Sequence, residues 1–380
     1  MMNFTFPVGY HQFHKEQLYN FQLNRWHSLG YARLEDMEEA GTAGIKTFKD
    51  WTRVMKGLAE KAETEGRLLN AAFYYRAAEF YTFQDQKKKE YLYDRFIQLF
   101  SQAMMDEPIQ RIEVPYQSSF LPAMRVRPAG EKNRGTLVIH GGFDSFIQEF
   151  YSWMRFFADN GYEVIAFEGP GQGEALRRNN LPLDWAWEKP AAAVLDHFQI
   201  DDVTWIGISM GGWFCFRAAA FEPRIKRVIA SSIAFDYMQS FGGFVRAMHL
   251  FFLNHMRNFT NRMVMKSQKK GEGIQTWMTA QLMHITGAET PMDAFEVWLQ
   301  LNEENLHSEL VKQDVLICTG REDHFVPFTM HKKQVDALTN AGSITERIFT
   351  REDQAQNHCQ VGNIGLALDV MLRWLEEKGQ

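Results

Sequence analysis

The stretch Val203-Thr-Trp-Ile-Gly-Ile-Ser-Met-Gly-Gly212 constrains this chain more than any other. An apolar run ends in Gly207-Ile-Ser-Met-Gly211, and Gly212 to Ala220 then reads as a helix. A strand that passes into a helix through G-x-S-x-G reverses so tightly that the serine takes a strained backbone conformation. A side chain at 207 or 211 would collide with the neighbouring strand or helix, so glycine is the residue that fits. The turn lifts the Ser209 hydroxyl to the carboxyl edge of a sheet. It also aims a helix amino terminus at that hydroxyl, which favours developing negative charge. Ser209 is therefore the candidate nucleophile.

With 380 residues the chain has room for a large core and more than one structural unit. Hydrophobic residues make up 45% and charged residues 23%, an ordinary globular balance. The net charge of −6 argues against nucleic acid as a partner, because phosphate binding needs a basic surface. No apolar run approaches the roughly 18 residues that span a bilayer, so no membrane segment is expected. The start, Met1-Met-Asn-Phe-Thr-Phe-Pro7, lacks a basic region followed by an apolar core, so no secretion signal is expected either. Cys215, Cys318 and Cys359 are an odd, scattered set that points to a reducing compartment without a disulfide framework. Cytoplasmic is the expected location.

The periodicity divides the chain. Residues 1–108 read as a helical domain: Phe48, Trp51, Val54, Met55, Leu58, Ala59 and Ala62 recur on one helical face from Ile45 onward, and Gly66 breaks the run. Leu68 to Phe83 and Tyr91 to Met104 repeat the habit, without the 34-residue self-similarity of a helical repeat array. After Pro108 the period changes. Arg111–Tyr116 and Leu121–Arg127 read as a hairpin turning at Gln117–Phe120. Strand-like runs at 136–140, 163–167, 203–208, 226–230, 314–319 and 344–349 then alternate with helical ones near 146–160, 190–199, 212–221, 329–341 and 364–378. That alternation predicts an α/β fold, a mostly parallel sheet with helices on both faces. Residues 109–236 and 311–380 form its two parts. Between them, 237–310 contains no strand pattern and holds eight of the 19 methionines, which predicts an inserted helical cap. Most of its apolar residues are expected to pack inside the cap. Lys266–Gly273 reads as a polar, glycine-containing break within it.

A serine hydroxyl needs a base, the base needs an orienting carboxylate, and the resulting anion needs donors. On such a sheet the partners follow in the order serine, acid, histidine. Gly320-Arg-Glu-Asp-His-Phe-Val-Pro327 supplies Asp323 as the candidate acid, favoured over Glu322 by its spacing. The loop after the last strand supplies His358 as the candidate base. The Met210 amide, with Gly142 or Phe143 from the loop His140-Gly-Gly-Phe-Asp-Ser145, forms the candidate oxyanion hole. His140 reads as structural. Glu168-Gly-Pro-Gly-Gln-Gly-Glu174 lacks both the third glycine of a dinucleotide loop and the Lys-Ser/Thr of a phosphate loop, and reads as a glycine turn beside the pocket. No cofactor or metal is expected: His11-x-x-His14 sits near an unordered-looking terminus, and no zinc pattern occurs.

These motifs together resemble the α/β-hydrolases, over about 110–380. The Gly169-Pro-Gly-Gln-Gly-Glu174 loop and the amino-terminal Asn20-Phe-Gln-Leu-Asn-Arg25 are similar to one branch. It holds 2,6-dihydroxypseudooxynicotine hydrolase, the fungal polyketide-shortening pigment hydrolases and the fermentation-respiration switch protein. The resemblance implies carbon–carbon bond hydrolysis next to a ketone, amino-terminal helices that help the cap close the site, and a homodimer. The expected function is a serine hydrolase acting on a small apolar or aromatic carbonyl compound, by C–C or ester cleavage. Two alternatives stand beside it. One is a peptidase of the prolyl-oligopeptidase kind, which lacks support from any β-propeller or paired-glutamate anchor. The other is a ligand-binding protein on a hydrolase scaffold.

Overall fold

Strands β1 (Ile109–Tyr116) and β2 (Ser119–Val126) form an antiparallel hairpin, closed by a turn in which Gln117 adopts φ +52°. The computed structural model describes residues 2–379 apart from 129, 131, 132, 241, 270 and 272. The hairpin opens an eight-stranded sheet completed by β3 (Thr136–His140), β4 (Glu163–Phe167), β5 (Val203–Ile208), β6 (Ile225–Ser231), β7 (Asp314–Gly320) and β8 (Ser343–Phe349). The strand order is β1-β2-β4-β3-β5-β6-β7-β8, and every pair from β4 to β8 is parallel. Strands β3, β4 and β5 are buried along their whole length, which is why they read as apolar runs without alternation. The chain reverses its direction of winding at β3, whose neighbours are β4 and β5. In register, His140 at the end of β3 pairs with Gly207 near the end of β5. The crevice at such a switch point, beyond the carboxyl ends of the strands, is where open α/β sheets place ligands.

Two compact units compose the chain. One comprises residues up to Pro108 with Ser267–Ala280 and Val361–Gly365; the other comprises Ile109–Lys266, Gln281–Gln360 and Leu366 onward. In the first, the helix Phe48–Thr64 buries the residues that its periodicity marked, and begins after a capping box formed by Thr47 and Asp50. Ile45 is buried but precedes that helix. The terminus around His11 and His14 is not loose: Asn24 Oδ1 accepts from the His11 amide at 2.7 Å, and Asn20 Oδ1 from the His14 amide at 2.9 Å. Buried asparagines of the first helix, Gln17–Ser28, thus pin an irregular strand of chain. In the same unit Trp277 stacks on Phe80 and donates to its carbonyl at 3.0 Å.

The second unit contains the sheet. Its core includes Trp187 stacked on Phe214 at 3.9 Å beside the end of β3. The run 146–160 is a 3₁₀ turn, Ile147–Phe150, followed by a shorter helix, Tyr151–Asp159. A short helix at Gly173–Arg177, absent from the periodicity, follows the glycine turn. Among the described residues, 237–310 is helical and free of strands, running through Gly243–His255, Arg257–Gln268, Ile274–Thr286 and Pro291–Trp298. Within the polar break, Lys270 and Glu272 lie outside the described residues. The segment expected to be one inserted cap is divided between the two units, with Ser267–Ala280 in the first, and the expectation that its apolar residues pack internally fails for the helices Gly243–His255 and Arg257–Gln268. Phe244, Phe251, Phe259 and Met263 are 49–82% exposed, because those helices find little apolar surface to cover them. Among the described residues, no helix is long and apolar enough to cross a membrane.

Candidate active site

Strand β5 ends at Ile208, and Ser209 then takes φ +62°, a left-handed conformation rare for any residue with a Cβ. The turn is held at both ends: the Ser209 amide donates to Ser231 O and its carbonyl accepts from Gly212 N, each at 2.8 Å. A Cβ at Gly207 would overlap the Gly211 carbonyl, and one at Gly211 would come within 2.7 Å of Gly141 O. Glycine at both positions lets the helix Gly211–Phe221 start against the ends of β3 and β5.

The loop bearing His358 crosses directly over the end of β7, where a Cβ at Gly320 would run into the carbonyls of Gln356 and Asn357. Left-handed Cys359 and Gln360 turn this loop, at φ +50° and +55°. Ser232 Oγ accepts from the Cys359 amide at 2.9 Å, and Ser231 Oγ bonds Gln360 Oε1 at 2.7 Å. His358 Nε2 lies 2.9 Å from Ser209 Oγ, and His358 Nδ1 lies 2.7 Å from Asp323 Oδ2. The other carboxylate oxygen, Asp323 Oδ1, accepts from the amides of Phe325 and Val326, both at 2.9 Å. Glu322 takes no part. Its carboxylate pairs with Arg351 at 2.6 Å on the surface.

The electrostatics follow from burial and pairing. Burial pushes the Asp323 carboxyl up, but the His358 charge, their hydrogen bond and the two amides outweigh it, so Asp323 is held below its ordinary value. Burial likewise pushes His358 down, and the Asp323 charge and hydrogen bond, with Cys359 nearby, reverse this to hold the imidazole well above its ordinary value. A carboxylate of which only 1% of the side chain is exposed thus faces an imidazole that it stabilises in the charged form.

The loop after β3 completes the site. A Cβ at Gly142 would lie 2.6 Å from the Met210 nitrogen, so only glycine lets this loop pass so close to the start of the helix Gly211–Phe221. Phe143 packs its ring edge-on against Trp298 at 5.1 Å, and Trp298 in turn meets Tyr237 at 4.9 Å. Burial, then the charges of Asp323 and Cys359, push the Tyr237 phenol up. His140 is wholly buried among Phe167, Trp187, Trp205 and Phe214, and burial lowers it to about 4. Its Nδ1 faces Gly141 O at 3.0 Å, so this neutral ring braces the loop. Glu168 is buried as well and pushed up to about 7 by desolvation; it accepts from Ile147 N at 3.1 Å and Glu174 N at 2.5 Å.

Ser209, His358 and Asp323 are therefore brought together, and Met210 and Gly142 adjoin them across the β3–β5 crevice. Gln172, Gln281, Trp298 and Tyr237 belong to the same neighbourhood and were not singled out from sequence. Gln172 sits inside a motif legible only by its glycines, and the other three lie in the segment without a clear period. Among the described residues, no group of three His, Cys, Asp or Glu side chains could hold a metal ion. Chemically, the chain of contacts provides a hydroxyl whose proton the imidazole can take, with a buried carboxylate to steady the imidazolium.

A family model described as the alpha/beta hydrolase fold matches residues 137–349, more than half of the chain. Hydrolase LUC6 from a Fusarium species is 27% identical over 72% of this chain and 70% of its own length. The 20-hydroxy-prefusarin hydrolase FUS2 of Gibberella moniliformis is 26% identical over 87% of this chain and 86% of its own length. Matches to some other curated relatives span 53–66% of those proteins. Of solved structures, 2,6-dihydroxy-pseudo-oxynicotine hydrolase superposes with a TM-score of 0.66 at 19% identity, over 93% of this chain and 94% of that one. At that identity the likeness is one of fold.

Proposed function

This chain belongs to the alpha/beta hydrolase fold family, and from that premise we propose that it is a cofactor-free serine hydrolase of small apolar or aromatic carbonyl compounds. The observation that carries the proposal is the unbroken chain from Ser209 Oγ through the His358 ring to Asp323, at 2.9 and 2.7 Å. Ser209 attacks the substrate carbonyl while His358 Nε2 takes its proton. Asp323 keeps the imidazole oriented and stabilises the imidazolium. The Met210 amide, with that of Gly142 or Phe143, receives the negative charge that develops on the carbonyl oxygen.

Collapse of the tetrahedral adduct breaks the bond to the leaving group, which takes the proton from His358. Water, deprotonated by His358, then attacks the acyl–Ser209 ester; the bond to Ser209 Oγ breaks, Oγ recovers its proton from His358, and the acid is released. The leaving atom is an alkoxide oxygen in an ester or a stabilised carbanion in a ketone. The same proton inventory serves both, and C–C cleavage next to a ketone is the reading in keeping with the motif resemblance. Phe143, Trp298 and Tyr237 form an aromatic wall beside these groups, which supports an apolar, aromatic substrate. The intact serine–histidine–aspartate chain weighs against a non-catalytic binder, and no observation favours a peptidase. Turnover of p-nitrophenyl esters and aryl β-diketones by wild type and Ser209→Ala tests the proposal. A loss of kcat of about 10⁴-fold or more is expected. Unchanged turnover in Ser209→Ala would exclude it.

A further inference from the structure

Three consecutive carbonyls of the loop after β3 are held from outside the loop. Gln172 Nε2 donates to Gly141 O at 2.8 Å and to Gly142 O at 3.2 Å. Gln281 Nε2 donates to Phe143 O at 2.9 Å. Gln172 is buried, and its own Oε1 accepts from the Gly169 amide at 3.0 Å. That contact leaves only one way for the side-chain amide to face, with both Nε2 hydrogens toward the loop. In a trans peptide the carbonyl of one residue and the N–H of the next point in opposite directions. By gripping the carbonyls of 141 and 142, Gln172 therefore turns the amides of Gly142 and Phe143 away from itself. These are the two candidate donors of the loop.

We infer that Gln172 is a positioning residue for the oxyanion hole, acting through the backbone and not by touching substrate. The inference rests on the serine-hydrolase reading above. Without the Gln172 amide, Gly141 O retains its His140 Nδ1 contact at 3.0 Å but Gly142 O loses the Gln172 contact, so the Gly142–Phe143 peptide above all can rotate and present a carbonyl where an anion must be bound. The resulting repulsion falls on the transition state, where the charge is largest, and little on the bound ground state. The loss should appear in kcat.

Two substitutions separate this role from simple support of the glycine turn. Gln172→Met removes both ends of the amide at similar length. Gln172→Glu keeps an acceptor for Gly169 N–H and removes the donors to Gly141 and Gly142; being nearly isosteric, it carries the test if the methionine variant does not fold. For both, kcat on a p-nitrophenyl ester is expected to fall about 10- to 100-fold with KM within about threefold, and binding of a tetrahedral boronic acid inhibitor to weaken by the same factor as kcat. Wild-type kcat in Gln172→Glu, a loss confined to KM, or undiminished boronate binding alongside a fallen kcat would each overturn the inference. Ser209→Ala run in parallel keeps the two levels apart. If it retains turnover, the serine-hydrolase reading fails; if it is inactive while Gln172→Glu is normal, only the positioning role fails.

Discussion

Ser209 at φ +62° is held in a conformation that costs a residue with a side chain about 1–3 kcal/mol. The surrounding contacts offset that cost: amide and carbonyl are both bonded, and two glycines let neighbouring backbone close in. His358 is positioned in the same manner, by two serines at the end of β6 and by left-handed Cys359 and Gln360. Asp323 sets the charge state of this imidazole. Because the Asp323 charge raises His358 well above its ordinary value, the neutral base is regained only as pH climbs past that raised value. The acid limb of kcat/KM is therefore expected above the ordinary imidazole value of 6.5. Asp323→Asn removes the charge but not the burial, so it should move that limb to lower pH and reduce kcat by about 10⁴-fold. A pH–rate profile of the variant checks both, and a limb that stays in place would contradict the assignment of Asp323. At this scale the sequence was most informative where a residue type is forced. Glycines at 207 and 211 are legible because few other residues fit, and Asp323 and His358 because they are an acid and a histidine in the loops that follow the last two strands. Gln172 was not legible, since its role depends on which carbonyls a fold brings within 3.2 Å.

Among the elements, the strands carried their identity plainly. Strands β3, β4 and β5 are buried throughout and so read as short apolar runs, and the parallel alternation followed from them. Boundaries set by tertiary contacts were less visible. The 3₁₀ turn at Ile147–Phe150 and the five-residue helix Gly173–Arg177 are tied to Glu168 through the amides of Ile147 and Glu174, a pairing that no local pattern announces. The helix Pro291–Trp298 starts at a Thr290 cap and ends by delivering Trp298 against Phe143 and Tyr237. If this aromatic contact lines the substrate site, Trp298→Ala should raise KM about tenfold for phenyl esters, roughly 1.4 kcal/mol of lost binding, while acetate esters of small alcohols change little. Equal effects on both substrates would show that Trp298 serves packing alone.

For the molecule as a whole, both units combine an apolar core with buried ionic groups. The sheet-bearing unit packs its core around β3 to β7 and buries Asp323 against His358. The other buries Trp26, Trp51 and Phe73, and in it Glu79, with 2% of its side chain exposed, meets Arg76 and Lys89, both at 2.5 Å. Glu79→Gln takes away the carboxylate that both cations touch. It is expected to destabilise the protein by about 3–5 kcal/mol, read as a lowered denaturation midpoint. A midpoint unchanged from wild type would mean that the cations find equivalent partners. The central claim concerns the other unit, and intact-mass spectrometry after reaction with a fluorophosphonate tests it most directly. One adduct per chain, mapped to the peptide containing Ser209 and absent from Ser209→Ala and His358→Ala, is the predicted result. An adduct on another residue, or hydrolysis that continues with Ser209 unlabelled, would contradict the account.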